Sequence, residues 1–319
     1  MKVVFFVGMA ASFLLSAVLC PMLIPVLRRL KFGQQVREEG NPEHLKKQGT
    51  PTMGGIAFLA AVLAAGGVSA IWFPELLPTL LLTIGFGVIG FIDDYIKVVR
   101  KHSEGFKPWQ KLLCQIVITG AFAVYCYLNP SIGPSVILPF TGGKEWNMGW
   151  LYIPFVFACV LGTDNGTNFT DGLDGLCTTV TIVVSMFLFL AGIRCGHEGV
   201  TMLSGIFMGA LMGFLLVNAY PAKMFMGDTG SLAIGGFVAG TALTLKMGWF
   251  IILIGLVYLI EVLSVILQVG YFKLTHGKRI FKMAPIHHHF ELSGFSETQI
   301  VAMFAIVTVI LGFIAYLAM

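Results

Sequence analysis

Long apolar runs separated by short polar stretches follow one another along almost the whole chain. Such runs predict membrane-spanning helices, because about 20 apolar residues in a helix cross the hydrocarbon core of a bilayer. The pattern gives about ten segments, at residues 3–27, 53–73, 77–92, 112–128, 150–162, 175–193, 199–217, 229–245, 247–271 and 298–318. The first run exceeds the length of a cleaved signal peptide and is expected to remain a helix.

The composition excludes a soluble globular protein, since 57% of the residues are hydrophobic and only 11% are charged. No stretch between the apolar runs is long enough for a soluble domain. We therefore predict an all-α integral membrane protein with a single domain over residues 1–319. Prolines and a Gly-Gly pair around a short β-branched run predict a small hairpin at 129–149. The six cysteines lie in or beside apolar runs and are expected to be buried thiols.

Basic residues are concentrated in alternate loops. Residues 28–52, 93–111, 163–174, 218–228 and 272–297 together hold 16 of the 20 lysines and arginines. Because basic residues accumulate in cytoplasmic loops, these loops are predicted to face the cytoplasm. Both termini and the 129–149 hairpin are then extracytoplasmic. The resulting basic inner surface suits lipid head groups and phosphorylated substrates.

The aspartates fall only in these predicted cytoplasmic loops, at Asp93, Asp94, Asp164, Asp171, Asp174 and Asp228. Neighbouring carboxylates repel one another unless a cation lies between them, which points to a hard metal ion that handles phosphate. Asp93 and Asp94 follow an apolar run, where the C-terminal end of a helix disfavours negative charge. If that helix continues, the two side chains point about 100° apart, so one can face a ligand and the other a supporting group. Ordinary solvated loop charges are the alternative interpretation.

The stretch TDNGTNFTDGLDGL at 163–176 has three acids and no basic residue. Asp171 and Asp174 are three residues apart and would share one face of a helical turn. Asn168 and Thr170 can cap the following helix or contact a ligand. An acidic loop without a counter-charge favours a binding role over a simple turn.

Two further loops offer groups for phosphate and nucleoside binding. In KKQGTPTMGG, Lys46 and Lys47 can reach a phosphate from a stiff turn, or can anchor the chain at the membrane surface. In NAYPAKMFMGDTGS, Asp228 precedes a helix that starts near Thr229, as an N-cap or at an anion site. Phe225, expected to be exposed, can stack on a nucleobase or anchor at the interface.

The last cytoplasmic loop contains three consecutive histidines within MAPIHHHFE. On a helix their directions diverge, so a shared metal is less natural than contacts to phosphate or sugar oxygens. Glu261 lies near the middle of the ninth apolar run, where ionisable groups are usually functional or paired. A structural hydrogen bond and a role in gating or lipid access are both open for Glu261.

The strings GTPTMGG, FIDDYIK, NFTDGLDGL, NAYPAKMFMGDTGS and PIHHHFE, in this order, resemble the phospho-N-acetylmuramoyl-pentapeptide transferases of bacterial peptidoglycan synthesis. The resemblance covers essentially the whole chain. The aspartate strings alone indicate the wider superfamily of polyprenyl-phosphate sugar-phosphate transferases, whereas the histidine string with its flanks is specific to the muramoyl branch. Many members have Ser where this chain has Asp164, so Asp164 is given no catalytic role.

The resemblance implies a reaction in which undecaprenyl phosphate attacks the sugar-linked phosphorus of UDP-N-acetylmuramoyl-pentapeptide, forming lipid I and releasing UMP. It implies Mg²⁺ dependence, ten spans, and an active site on the cytoplasmic face of the bacterial inner membrane. It also implies contact with membrane lipid and commonly a homodimer, with no nucleic-acid partner. The activity would serve cell-wall synthesis, and through it cell shape and division.

Residue roles follow from the same motifs. Asp228 resembles the magnesium ligand, and Asp93 resembles the group that activates the lipid phosphate or, in another mechanism, attacks as a nucleophile. With Asp94 and His287 they form the expected catalytic set. The expected substrate-binding residues are Lys47, Thr52, Lys97, Asn168, Asp171, Asp174, Asn218, Phe225, His288 and His289. Of these, Lys97, Asn218 and Phe225 match parts of a uridine pocket.

Two other functions stay open at this point. A transferase that uses UDP-N-acetylglucosamine is the nearest alternative, although the histidine string speaks against it. A cation-coupled transporter is the alternative from another class. Transport favours charge at mid-membrane, and Glu261 is the only acidic residue placed deep within an apolar run.

Overall fold

The computed structural model describes residues 3–30, 47, 49–99 and 105–319. Most of this part of the chain is α-helical. The helices are α1 (Val3–Arg29), α2 (Gly55–Ser69), α3 (Leu77–Val99), α4 (Pro108–Leu128), α5 (Tyr152–Thr170), α6 (Leu176–Cys195), α7 (Glu198–Asn218), α8 (Gly227–Thr244), α9 (Ile251–Ile254), α10 (Leu256–Leu274), α11 (Ile286–Glu291) and α12 (Glu297–Leu317). The strands are β1 (Ser135–Ile137) and β2 (Glu145–Asn147).

The helical membrane class predicted from the sequence is confirmed. Each predicted apolar segment overlaps one of the long helices. Within the described ranges, seven helices are long and apolar enough to cross a membrane: α1, α3, α4, α6, α7, α10 and α12. The helix α2 is shorter, and α5 and α8 carry polar side chains at the ends that face each other. The total of ten crossings and the extracytoplasmic termini remain predictions.

The segment predicted as one helix over 247–271 is interrupted. The helix α9 ends at Ile254, and α10 begins at Leu256. Gly255 between them has φ −104°, and its N–H donates to the carbonyl of Ile251 at 2.8 Å. Glycine is less favourable in a helix than alanine by about 1 kcal/mol, so it is a natural site for such a break. The apolar pattern continues across Gly255 and therefore does not reveal it.

The prediction of a loop over 163–174 is wrong for most of its length. The helix α5 continues to Thr170, and only residues 171–175 form a turn. The Thr167 and Thr170 hydroxyls donate to backbone carbonyls one turn earlier in α5, so both hydroxyls are hydrogen-bonded within the helix. Thr167 also donates to the carbonyl of Ser231 on α8 at 2.8 Å. The polar sequence marks a buried helix face against α8 rather than a solvated loop.

The helix α8 lies at the centre of the bundle, and every residue from Thr229 to Thr244 is buried. Its neighbours approach its backbone closely because the contacts are made through glycines. A Cβ added at Gly90 of α3 would collide with the carbonyl of Asp228, and one at Gly235 would collide with the backbone of Asp164. Small residues at such contacts let helix backbones pack tightly in a membrane protein. Close packing brings the ends of α3 and α5 to the first turn of α8.

The hairpin predicted at 129–149 is present. Strands β1 and β2 pair antiparallel, with Val136 opposite Trp146. The hairpin is tied to the helices by backbone hydrogen bonds from Ile137 to the carbonyl of Lys246, and from Phe140 to that of Ala318. All six cysteines are free thiols, but the expectation that all are buried is wrong: Cys20, Cys126 and Cys177 are buried, whereas Cys195 is exposed. The hairpin closes one end of the bundle, away from the aspartates.

Replacing Gly90 by alanine is expected to destabilise the fold at its tightest helix contact. The added methyl group must displace the backbone at Asp228, and overpacking of this kind costs about 1–3 kcal/mol or more. We expect a clear fall in the thermal unfolding midpoint of the purified protein in detergent. Gly67→Ala is the matched control, because a Cβ at Gly67 meets nothing within 4 Å. Equal midpoints for the two variants would contradict the close approach of α3 to α8.

Candidate active site

The adjacent carboxylates at the end of α3 have separate partners, as the helical geometry predicted. Asp93 Oδ2 pairs with Lys97 one turn further along the helix at 2.8 Å, and Asp93 Oδ1 accepts from the Phe106 backbone N–H at 2.6 Å. Asp94 points instead at the start of α8. It accepts from the backbone N–H groups of Asp228 and Thr229 at 3.1 and 2.9 Å, and from the Thr229 hydroxyl at 2.7 Å. Asp94 therefore supplies the cap that α8 needs at its N-terminus.

Of the two interpretations left open for Asp228, the helix N-cap is wrong. The helix α8 begins at Gly227, so Asp228 lies in its first turn, and the capping oxygens come from Asp94. The Asp228 carboxylate is free to meet side chains from other helices. Its Oδ2 contacts the ammonium groups of Lys97 and Lys111 at 3.0 and 2.9 Å, and its Oδ1 accepts from Asn168 at 3.0 Å. Four helices thus converge on one carboxylate.

Lys111 was not among the residues predicted from the sequence. It lies in the first turn of α4, bonds to Asp228, and also comes within 3.7 Å of Asp93 Oδ2. A signal was available, because a lysine near a helix N-terminus opposes the helix dipole and needs a compensating carboxylate. The sequence does not show which carboxylate compensates Lys111, because Asp228 lies 117 residues further along the chain.

Among the described residues of this cluster, acidic groups outnumber basic groups. The ammonium groups of Lys97 and Lys111 face Asp93 and Asp228, while Asp94 is held by neutral donors. Burial raises the pKa of Asp171 well above its usual value, and the negative charge of Asp228 raises it further. A centre with this excess of carboxylate is suited to an additional cation.

A second cluster connects four segments through Lys47. Its ammonium group contacts Asp174 Oδ1 at 2.7 Å and Glu297 Oε2 at 2.6 Å. Glu297 also accepts from the Asp174 backbone N–H at 3.2 Å, and Asp174 Oδ2 accepts from the Ala222 N–H at 2.8 Å. Burial lowers the pKa of Lys47, but the hydrogen bonds to Asp174 and Glu297 outweigh it and raise the pKa above its ordinary value. Lys46, predicted beside it, lies outside the described residues.

The prediction that Asp171 and Asp174 share one face of a helical turn is wrong. The helix α5 ends at Thr170, and the following turn has Gly175 at φ +72°, so the two side chains are not on one helical turn. Asp174 bonds in the Lys47 cluster, whereas Asp171 lies within the electrostatic influence of Asp228 and Asp94. Of the two roles left open for Asn168 and Thr170, neither caps the following helix: Asn168 donates to Asp228, and Thr170 bonds within its own helix.

Of the three residues predicted to form a uridine pocket, Asn218 and Phe225 lie at the ends of the segment before α8, whereas Lys97 lies on α3. Phe225 is half-buried rather than exposed. Its N–H donates to the carbonyl of Pro51, and its carbonyl accepts from Gly54, both at 2.8 Å, which ties this segment to the first loop. Asn218 is buried, accepts from the Thr178 hydroxyl and donates to the carbonyl of Met224. Thr52 also lies beside the site. A Cβ added at Gly227, the residue before Asp228, would lie 2.9 Å from the Thr52 hydroxyl oxygen.

The three histidines lie on the short helix α11 and diverge, as predicted. His287 is fully buried, with Nδ1 3.1 Å from Glu261 Oε2. Its Nε2 packs against Gly172, beside Asp171, and has no hydrogen-bond partner in the described structure. His288 pairs with Glu291 at 2.7 Å, and His289 accepts from the Lys282 backbone. Glu261 therefore makes a structural contact that orients His287 towards the acidic turn.

Comparison with known proteins identifies the family. Residues 76–246 match the glycosyl transferase family 4, and residues 47–59 match signature 1 of the phospho-N-acetylmuramoyl-pentapeptide-transferases. The proteins named phospho-N-acetylmuramoyl-pentapeptide-transferase in Clostridium kluyveri and Clostridium novyi are 49% and 48% identical to this chain, over 97% of it and over 97% and 94% of their own lengths. The one in Acetivibrio thermocellus is 47% identical over 97% of this chain and 93% of its own length.

The chain belongs to the phospho-N-acetylmuramoyl-pentapeptide-transferase family. The family resemblance inferred from the motifs is therefore confirmed, and the chain is a transferase with several membrane-spanning helices. The family signature begins at Lys47 and includes Thr52, so it covers the segment that connects the second cluster to the start of α2. Glycosyl transferase family 4 covers the segments that carry Asp93, Asp94 and Asp228.

Asp94→Ala is expected to loosen the start of α8 in this family member. It removes the acceptor of three hydrogen bonds, and each bond to a charged group contributes about 1.5–3 kcal/mol. The thermal midpoint should fall by several degrees, and activity should fall with it because Asp228 is no longer held in place. Tyr95→Ala is the control, since Tyr95 is the next residue on α3 and is exposed. If Tyr95→Ala lowers the midpoint as much, capping by Asp94 is not what stabilises this contact.

Glu261 variants separate orientation of His287 from a role in lipid access. Glu261→Gln keeps an acceptor for Nδ1 and should retain most activity. Glu261→Leu leaves the imidazole without its partner and should lower turnover about 10- to 100-fold. Ser264→Ala, a buried change on the same helix, is the control and should behave like wild type. Equal losses for the glutamine and leucine variants, measured at saturating lipid, would contradict the orienting contact.

Proposed function

We propose that this protein transfers phospho-N-acetylmuramoyl-pentapeptide from UDP-N-acetylmuramoyl-pentapeptide to undecaprenyl phosphate, forming lipid I and releasing UMP. The near full-length similarity to proteins of that name carries the proposal. The convergence of α3, α4, α5 and α8 on Asp228 supports it, because a phosphoryl transfer between two anionic substrates needs concentrated positive charge and exact alignment.

Lysine side chains would neutralise and align the phosphates. Lys97 and Lys111 are held by Asp93 and Asp228 in the free protein, and their ammonium groups can turn to phosphate oxygens when substrate arrives. Positive charge there would stabilise the negative charge that develops on departing UMP. Lys47 would do the same at the second cluster, and Thr52 would offer a hydroxyl donor beside Gly227.

Mg²⁺ is proposed as the cofactor. Among the described residues, no group of three or more His, Cys, Asp or Glu side chains is arranged to hold a metal ion, and lysines contact Asp228 Oδ2 instead. The donor chemistry nevertheless fits, since Asp93, Asp171 and Asp228 offer carboxylate oxygens, and a bound cation would offset the burial and the repulsion from Asp228 that raise the pKa of Asp171. Asp228 and its neighbours would hold the ion, which would supply charge neutralisation for the phosphates.

Direct attack by the lipid phosphate is the proposed route. A phosphate monoester is largely ionised near neutral pH, its second pKa being about 6, so positioning matters more than a strong base. Asp93 would then orient the attacking group through Lys97 and Lys111. Isolation of a sugar phosphate covalently bound to Asp93 from a quenched reaction would contradict this route.

The remaining binding roles are proposed from the sequence motifs. Phe225, Asn218 and Lys97 would form the uridine pocket, and His288 and His289 would line the substrate cleft near His287. Asn168, Asp171 and Asp174 would contact or organise the nucleotide and phosphates. The site would face the cytoplasm from the bacterial inner membrane, and the protein would act as a homodimer, which mass photometry in lipid nanodiscs would detect as twice the mass of one chain.

The substrate is tested by incubating the purified protein with Mg²⁺, undecaprenyl phosphate and a UDP-sugar. UMP release with UDP-N-acetylmuramoyl-pentapeptide, and not with UDP-N-acetylglucosamine, is the expected result. Release only with the second sugar would replace the proposal with the alternative transferase. Absence of release with either, together with cation uptake into vesicles, would favour the transporter.

Asp228→Asn is expected to lower turnover by about 10²–10³-fold or more, since it removes the charge that organises the site. The protein should still fold, because the amide can accept from Asn168 and remains in the same space. The rate of UMP release and the thermal midpoint are measured together over a magnesium titration. Glu145→Gln, the same change at an exposed residue of the hairpin, is the matched control. Wild-type rates at every magnesium concentration would remove Asp228 from the mechanism.

A further inference from the structure

A buried polar contact lies one helical turn from the Lys111–Asp228 ion pair. Gln115 of α4 donates through Nε2 to Asp164 Oδ2 of α5, and both side chains are almost entirely buried. The second oxygen, Asp164 Oδ1, has no hydrogen-bond partner in the described part of the chain. Burying a carboxyl group with a single neutral donor is unfavourable, so its presence needs a physical reason.

The contact is in register with the site. Lys111 and Gln115 are four residues apart on α4 and share a face, as do Asp164 and Asn168 on α5. Lys111 and Asn168 reach the two oxygens of Asp228 at 2.9 and 3.0 Å. Gln115 and Asp164 reach each other one turn away. The helices α4 and α5 are therefore connected at two successive turns. Lys111 and Asn168 are connected through Asp228, and Gln115 and Asp164 are connected directly.

The Asp164 end of the contact is fixed relative to α8. Its backbone packs so closely on Gly235 that a Cβ there would collide with it. One turn further along α5, Thr167 and Asn168 bond to Ser231. Gln115 is thus joined to a part of α5 that cannot shift without moving α8, the helix that carries Asp228. A directional hydrogen bond fixes the rotation of α4 about its axis, which apolar packing alone would leave less well defined.

We propose that Gln115 and Asp164 are positioning residues that set the rotation of α4 so that Lys111 meets Asp228. Neither side chain touches substrate. The inference rests on the proposed function and adds to it a device that holds a site lysine from behind. It also gives a role to Asp164, which the motif comparison left without one.

The first test is a double-mutant cycle on the rate of UMP release. Gln115→Leu and Asp164→Leu are each expected to lower kcat about tenfold, with KM for the nucleotide substrate changed less than about twofold. The double variant should be no slower than the slower single variant, because the second change breaks nothing further. Asp164→Asn should recover most of the rate, since either amide can rotate to restore a hydrogen bond. Additive losses in the double variant would overturn the proposal.

A Lys111→Ala background separates positioning from a general loss of stability. With Lys111 removed, Gln115→Leu should cause no further loss, because the group that it positions is gone. The same tenfold loss in both backgrounds would contradict the proposal. Thr119→Val is the matched control: Thr119 is buried one turn further along α4, its hydroxyl has no partner in the described structure, and the change should leave kcat unaltered.

A second readout does not depend on activity. Acylation of Lys111 by an amine reagent, mapped by mass spectrometry, should be about tenfold faster in Gln115→Leu than in wild type, since the lysine is no longer held on Asp228. An unchanged acylation rate would overturn the inference. A faster rate in a protein that releases UMP from neither UDP-sugar would instead reject the proposed function and keep the positioning pair. If the leucine variants do not fold, Gln115→Asn, which keeps the amide but shortens its reach, replaces Gln115→Leu in the Lys111→Ala background and in the acylation experiment, with the same expected results.

Discussion

The site depends on the burial of α8. This helix is buried from Thr229 to Thr244, so the N–H groups at its start are satisfied by another helix rather than by water. Asp94 accepts hydrogen bonds from the free N–H groups at its start. Lys97, Lys111 and Asn168 donate to the Asp228 carboxylate. A helix end that would be hydrated in a soluble protein becomes the point on which three other helices converge.

Close approach is the structural condition for this convergence. The glycines on α3 and α8 remove the side chains that would hold the helix axes apart, and the short Asp, Asn and Thr side chains then reach across the contacts. The second cluster, in which Lys47 joins Asp174 and Glu297, brings together the segment before α2, the turn after α5 and the start of α12. The geometry therefore places two groups of paired charges at one end of the bundle, as expected for a site that accepts two anionic substrates.

The sequence predicted the helical class, the hairpin and most of the residues that the structure brings together at the candidate site, because these follow from apolar length, turn residues and motif composition. It failed where the tertiary partner decides the outcome. The polar composition of residues 163–170 suggested a loop, but α8 provides a buried surface on which those residues form helix. Asp228 had the sequence position of a cap, yet Asp94 performs that role from another helix. Lys111 and Glu297 carry no motif, and their importance follows only from contacts across more than 100 residues.

The central claim is that separate helices bring their charged side chains into contact at Asp228. Carbodiimide coupling, which joins an amine to a carboxylate only where they touch, measures this directly in the full-length protein in nanodiscs. Mass spectrometry should find Lys111 or Lys97 joined to Asp228, and Lys47 joined to Asp174 or Glu297. Coupling of Lys97 only to Asp93 within its own helix, with Lys111 and Lys47 reactive towards amine reagents but joined to none of these partners, would contradict the account.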